Sequence, residues 1–232
     1  MSGTSLGIVK FHTIEMRRPV IIFWIIFTLA HILGFVVAFS FEKTNIIFWS
    51  GVPVYISASF MGFQTIKSSF PNLIQWGATR KVYFLFTSIF FIFFSLVLAL
   101  TSNILLTIFN QVGTWYSLTG IHFYHLIQFG SIADNFSTRI FFDFSICLVL
   151  ISISFLVSAV LFRYGLAIGG MLIIPLLVLT FIPGIVTFLL NFVQNIFGTA
   201  GFLYFSYIVL ASLLLLFLSW LIMRRSFIVP SS

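Results

Sequence analysis

YGLAIGGMLIIPLLVLTFIPGIVTFLLNFVQNIFGTAGFLYFSYIVLASLLLLFLSWLIM, from Tyr164 to Met223, contains no Asp, Glu, Lys or Arg. A helix needs about 20 consecutive apolar residues to cross a bilayer. The stretch is too long for one crossing and suits two. Asn191, Gln194, Asn195, Gly198 and Gly201 form a polar, glycine-containing break inside it. The break divides the stretch into spans at about 166–190 and 202–223, the second closed by Arg224 and Arg225.

Charges cut the rest of the chain into pieces of the same size. Span one is about 20–39, between Arg17-Arg18-Pro19 and Glu42-Lys43. Span two is about 46–66, ending at Lys67. Span three is about 82–108, after Arg80 and Lys81, and span four about 140–162, ending at Arg163. The composition agrees. Of 232 residues, 61% are hydrophobic and only 6% charged, against about 25% charged in a soluble domain. A soluble enzyme and a nucleic-acid binder are disfavoured by this. The expected fold is one all-α integral membrane domain over 1–232, with six transmembrane helices. The apolar run after Arg18 is too long for the core of a signal peptide, usually about 7–15 residues. The segment Leu6–Met16 before it scatters its apolar residues around a helical wheel, which leaves an interfacial amphipathic helix open without supporting it.

Six spans put both termini on one side. With the termini inside, nine basic residues are cytoplasmic: Lys10, Arg17, Arg18, Lys67, Arg80, Lys81, Arg163, Arg224 and Arg225. Only Lys43 and Arg139 face out. The positive-inside rule therefore places both ends in the cytoplasm.

Chemical motifs are sparse. There is no phosphate-cradling GxxxxGK[ST] loop, no HExxH, no CxxC and no GxSxG. The chain is not expected to be an enzyme or to bind a cofactor or metal itself. The four carboxylates, Glu15, Glu42, Asp134 and Asp143, all fall away from the bilayer centre by the span assignment. An ion-coupled carrier normally buries ionisable groups there, so energy is expected to come from elsewhere. Cys147 is the only cysteine and reads as a small core residue. His31 lies well inside span one, either hydrogen-bonded to a neighbouring helix or in contact with cargo. His122 and His125, spaced to share a helix face, lie among aromatic residues typical of a membrane interface.

The most informative loop is Lys67-Ser-Ser-Phe-Pro-Asn-Leu-Ile-Gln-Trp-Gly-Ala-Thr-Arg-Lys-Val-Tyr-Phe84. It reads as a short helix between spans two and three. Ser69 or Phe70 occupies the N-cap, Pro71 the first turn, Gly77 the left-handed exit, and Thr79 caps the next span. Phe70, Leu73, Ile74 and Trp76 then place apolar surface in the cytoplasm. Such surface, rimmed by charge, marks a contact site; lying in the headgroup layer is the other reading.

The pattern Ser-Phe-Pro-x-x-x-x-x-Gly-Ala-Thr-Arg-Lys-x-Tyr-Phe resembles the cytoplasmic loop of small ABC-2 type bacterial permeases. Leu161-Phe-Arg-Tyr-Gly165 resembles a second turn of that family. The resemblance implies a type V exporter-like transmembrane domain in a bacterial cytoplasmic membrane. It implies a homodimer, or a pseudo-dimer with a related permease, above two separate ABC ATPase subunits that bind ATP and Mg. Phe70, Pro71, Leu73, Ile74, Trp76 and Gly77 would form the coupling helix. Arg80 and Lys81, with Arg163 and Gly165 at the second turn, would meet the ATPase or fix helix ends at the headgroups. The break near Asn191–Gly201 would be an outer re-entrant segment. Export of hydrophobic or amphipathic peptides is the expected activity, with His31 a candidate cargo contact. The competing reading is a non-transport assembly or structural protein that docks a soluble partner through residues 68–81. In intact cells, a tag at Ser232 should be shielded and one near Ser131 reactive to impermeant reagent; the reverse pattern would overturn the topology.

Overall fold

The computed structural model describes residues 2–40, 46–116, 121–130, 132–179 and 201–224, with the single positions 183, 184, 187, 191 and 194. Among the described residues, four stretches are long and apolar enough to cross a membrane: Leu6–Ser40, Arg80–Trp115, Phe136–Leu172 and Leu203–Met223. The chain is therefore a multi-pass helical membrane protein.

Helix α1 covers Ser2–Ser40 without a break at Pro19. It thus absorbs the segment before span one. Ile8, His12 and Met16 are buried one turn apart, and Phe27, His31 and Ala38 continue the stripe. A short strand, β1 (Ile46–Trp49), comes next. Helix α2 then runs Gly51–Gln75 and α3 runs Arg80–Trp115. Strand β2 (Ile121–Tyr124) pairs in parallel with β1, Ile46 opposite Ile121 and Trp49 opposite Tyr124. A 3-10 turn over Leu126–Phe129 leads to α4 (Phe136–Leu179), and α5 is Gly201–Met223.

Span two is corrected at both ends. Ile46–Trp49 is extended, not helical, because this β-branched and aromatic run gains ladder hydrogen bonds and packing from β2. At its other end α2 continues through Ser69, Phe70 and Pro71. No separate helix begins there. Proline removes one hydrogen bond from a helix interior, but continuity carries Phe70 and Leu73 into the core. Phe70 packs edge-on against Tyr83 at 5.1 Å and Phe162 at 5.7 Å. Helix α2 carries Ser57, Ser59, Gln64, Thr65, Lys67 and Ser68, and is more polar than the four membrane-length stretches.

The other boundaries follow the sequence closely. Gly77 has φ 89°. Its N–H reaches the Ile74 carbonyl and that of Ala78 the Leu73 carbonyl, both at 3.0 Å, which is a Schellman ending. Thr79 is extended, and its hydroxyl accepts from the Val82 N–H at 3.4 Å. Within α4, Gly165 has φ 77° and ψ 170°, which interrupts the helix between the expected spans four and five. The chain doubles back there: a Cβ on Gly169 would lie 3.1 Å from the Leu161 Cα. The fifth span is described only as far as Leu179, and most of the polar break at 191–201 lies outside the described residues.

Helix α4 is the hub. Helices α2, α3 and α5 all pack on it, while α1 leans mainly on α3. Phe155 of α4 meets Phe91 at 5.0 Å and Phe84 at 5.6 Å, within a fully buried layer with Leu98, Leu148 and Ile151. Helices α1 and α3 run in the same direction, since His12 meets Thr87 and His31 meets Phe109. One end of the bundle therefore collects the start of α1, the α2–α3 turn, Gly165 and the end of α5. The opposite end carries β1, β2 and the 3-10 turn.

Helices α2 and α4 approach closely at Gly62 of α2. A Cβ there would lie 2.6 Å from the Ile151 carbonyl oxygen and 2.9 Å from its Cα. Backbone on that side cannot yield as a side-chain tip can. Gly62→Val should destabilise the bundle by about 1–3 kcal/mol, read as a lower melting temperature in detergent. Gly170→Val, with open space at the same atom, should cost much less; equal losses would contradict the assigned α2–α4 contact.

Candidate functional site

An ionisable side chain inside a membrane segment is rare and by default marks function. Asp143 sits about two turns into α4, away from the centre of the span as expected, yet it is 1% exposed and enclosed by the protein. Hydropathy could not reveal this, because its partners come from three other parts of the chain. Asn103 of α3 donates to Oδ2 at 2.7 Å. The hydroxyl of Tyr55, on α2, donates to Oδ1. The His125 Nε2 is 3.0 Å from the same oxygen.

The His125 tautomer follows from its second nitrogen. Nδ1 accepts from the Ile127 N–H at 3.1 Å, so the ring proton lies on Nε2 and is given to Asp143. His125 is therefore neutral here, and the carboxylate is held by hydrogen bonds rather than by a cation. Cys147 follows Asp143 by one turn on the same face and is fully buried. Its reading as a small core residue agrees with that position.

His122 and His125 do not share a helix face. His122 is exposed on β2, its ring stacked 5.9 Å from Tyr124. His125 instead caps the 3-10 turn in a box with Gln128, whose side chain accepts from the His125 N–H at 3.3 Å. Gln128 also donates to Asp134 Oδ2 at 2.9 Å, and Arg139 grips both Asp134 oxygens. A polar chain thus runs inward from Arg139 and Asp134 through Gln128 and His125 to Asp143, Tyr55 and Asn103. Asp134 is held below the usual carboxylate range, first by the bond from Arg139. The stabilisation this adds is present at neutral pH and is lost as pH falls through that lowered value.

A second polar cluster lies toward the other end. His12 Nε2 is 2.9 Å from the Thr87 hydroxyl, and Ser69 is 2.8 Å from the Tyr83 hydroxyl. Glu15 Oε2 approaches His12 Nδ1 at 4.0 Å. Nothing in the sequence reading anticipates this cluster, whose only local signal is the spacing of His12 and Glu15. The buried layer of Leu98, Leu148, Ile151 and Phe155 separates it from Asp143.

His31 is a packed core residue. Its Nδ1 bonds the Phe27 carbonyl at 2.7 Å, on its own helix, and its ring stacks on Phe109 at 4.5 Å, Phe48 at 4.9 Å and Phe123 at 5.4 Å. This aromatic box leaves it 2% exposed.

The loop residues divide into two groups. Phe70 and Leu73 are buried, and Pro71 and Ile74 are half-buried. Only Trp76 of the expected apolar surface stands out, 70% exposed beside the Gly77 turn, with its ring 5.5 Å from Phe11. Arg80 donates to the Arg224 carbonyl at 2.7 Å and Arg163 to the Ile222 carbonyl. These two arginines staple α3 and α4 to the end of α5. Lys81 is exposed, and Gly165 makes the chain reversal.

Removing the Asp143 carboxylate would orphan three buried donors, each costing about 1–3 kcal/mol. Asp143→Ala should therefore lower the unfolding midpoint in detergent strongly. Asp143→Asn, which keeps an acceptor oxygen, should do so less. Equal, small effects of both would show that the carboxylate does not organise this end of the bundle. No family model, curated protein or solved structure matches this chain.

Proposed function

We propose that the chain is the permease subunit of an ATP-driven ABC exporter, working with a second permease and two separate ATPase subunits. The observation that carries this reading is Trp76. It is a large aromatic side chain, 70% exposed, on a tight turn whose helix ends are fixed by Gly77 and Thr79. Exposed aromatic anchors of this kind are the usual centres of protein contacts. The turn lies at the end where Lys10, Lys67, Arg80, Lys81, Arg163 and Arg224 gather, the cytoplasmic end by the positive-inside rule.

The moving part differs from the expected short coupling helix. A rigid push on the Trp76 turn is delivered straight along α2, because no hinge separates residues 70–76 from the rest of that helix. Phe70 and Leu73 transmit the push into α3 and α4 rather than contacting the partner. The two buried polar clusters do not join, which favours ATP over an ion gradient as the energy source. Hydrophobic or amphipathic peptides suit the apolar faces of α1 and α5, where Ile22, Ile26, Leu33, Leu210 and Leu214 are exposed.

Two substitutions separate docking from folding. Trp76→Ala should abolish or sharply reduce copurification of the ATPase, a loss of about 2 kcal/mol or more, with the melting temperature nearly unchanged. Phe70→Ala should lower the melting temperature, at about 3–5 kcal/mol. Undiminished ATPase recovery with Trp76→Ala would refute the docking assignment.

A further inference from the structure

We propose that the groove between α3 and α5 binds one anionic glycerophospholipid of the cytoplasmic leaflet. Both helices pack on α4 and touch each other little, leaving a furrow on the membrane-facing side. Its walls are Phe84, Leu85 and Ser88 from α3 and Leu216, Phe217 and Trp220 from α5. From Lys81 to Ser88 the furrow is about 10 Å long at the helical rise per residue. Such apolar walls suit an acyl chain and do not suit a free phosphate.

Charge at the mouth selects the headgroup. Lys81 lines the cytoplasmic end of the groove. Arg224 lies beside it, its guanidinium carbon 5.9 Å from the Trp220 ring. The carbonyls that close α5 are already taken, that of Ile222 by Arg163 and that of Arg224 by Arg80. Among the described residues the carboxylates Glu15, Asp134 and Asp143 are met by His12, Arg139 and His125, none of them at this mouth. Two cations therefore face the headgroup layer with no carboxylate among the described residues to answer them. A phosphodiester with its chain in the groove supplies the missing anion and covers the exposed side of Trp220. Lipid binding here is independent of any docking role of Trp76.

Trp220 is a built-in reporter. The chain has five tryptophans, so replacing Trp24, Trp49, Trp76 and Trp115 by Phe leaves it alone. In mixed vesicles, brominated phosphatidylglycerol should quench Trp220 at lower mole fraction than brominated phosphatidylcholine. A cation at an anionic surface contributes a factor of about five in affinity, so Lys81→Gln should reduce that preference about fivefold. Lys67→Gln, in a separate recess lined by Phe60, Phe63 and Gln64, should leave it unchanged. Equal quenching by the two lipids would overturn the proposal. So would equal effects of the two lysine substitutions, which would mean diffuse surface attraction only. Should the four-Phe chain fail to insert, native mass spectrometry of the unsubstituted chain with equimolar phosphatidylglycerol and phosphatidylcholine decides the same question. One retained anionic lipid, lost in Lys81→Gln, supports the site; no selective retention refutes it.

Discussion

A carboxylate taken out of water must be met by donors, or its burial costs several kcal/mol. Asp143 is met by three, and each comes from a different element: Tyr55 from α2, Asn103 from α3 and His125 from the connection after β2. Apolar side chains tolerate small slides along a helix, whereas these bonds do not. The register of α2 and α3 on α4, and the seat of the strands at that end of the bundle, therefore follow from satisfying one charge. The neutral His125 matters to this, because its Nδ1 bond to Ile127 ties the same ring to the fold of the 3-10 turn.

Elsewhere the bundle handles polarity locally. Thr65, Ser95, Ser152 and Ser212 are buried, and each bonds the carbonyl one turn back at 2.7 Å. A hydroxyl satisfied on its own helix places no demand on a neighbour. Small residues can then face helix contacts, as Gly62 does against Ile151, and backbones come close. Specificity is concentrated in the two polar clusters, and adhesion is spread over the aromatic layers between and around them.

Local signals are legible in the sequence, and distant ones are not. Gly77, Thr79 and Gly165 act through their own backbone geometry, so the helix ends at those residues can be read directly. The start of α5 follows from the polar, glycine-containing break before it and its end from Arg224. Ile46–Trp49 passes for helix because an apolar run inside a membrane chain carries no alternation to separate the two, and its partner lies beyond α2 and α3. The commonest meaning of Pro71 is a helix start, yet the burial of Phe70 and Leu73 holds the helix together through it. Asp143 stands near the edge of a hydropathy segment. Its position in the interior depends on residues 18, 40 and 88 places away, a separation no window detects. His31 shows the converse: an ionisable group at mid-span is enclosed by Phe rings.

The pairing of β1 with β2 sets a condition on biosynthesis. Ile46 must wait for Ile121, and at a synthesis rate of about 5–20 residues per second that wait is roughly 4–15 seconds. During it the strand has an open edge, while α2 and α3 are still being made. An unpaired edge is the usual starting point for wrong pairing. Only when β2 has been made can the edge close, and only when α4 follows does Asp143 arrive to bond His125. This end of the bundle is thus closed only after α2 and α3 have been made, by two elements that follow them in the chain.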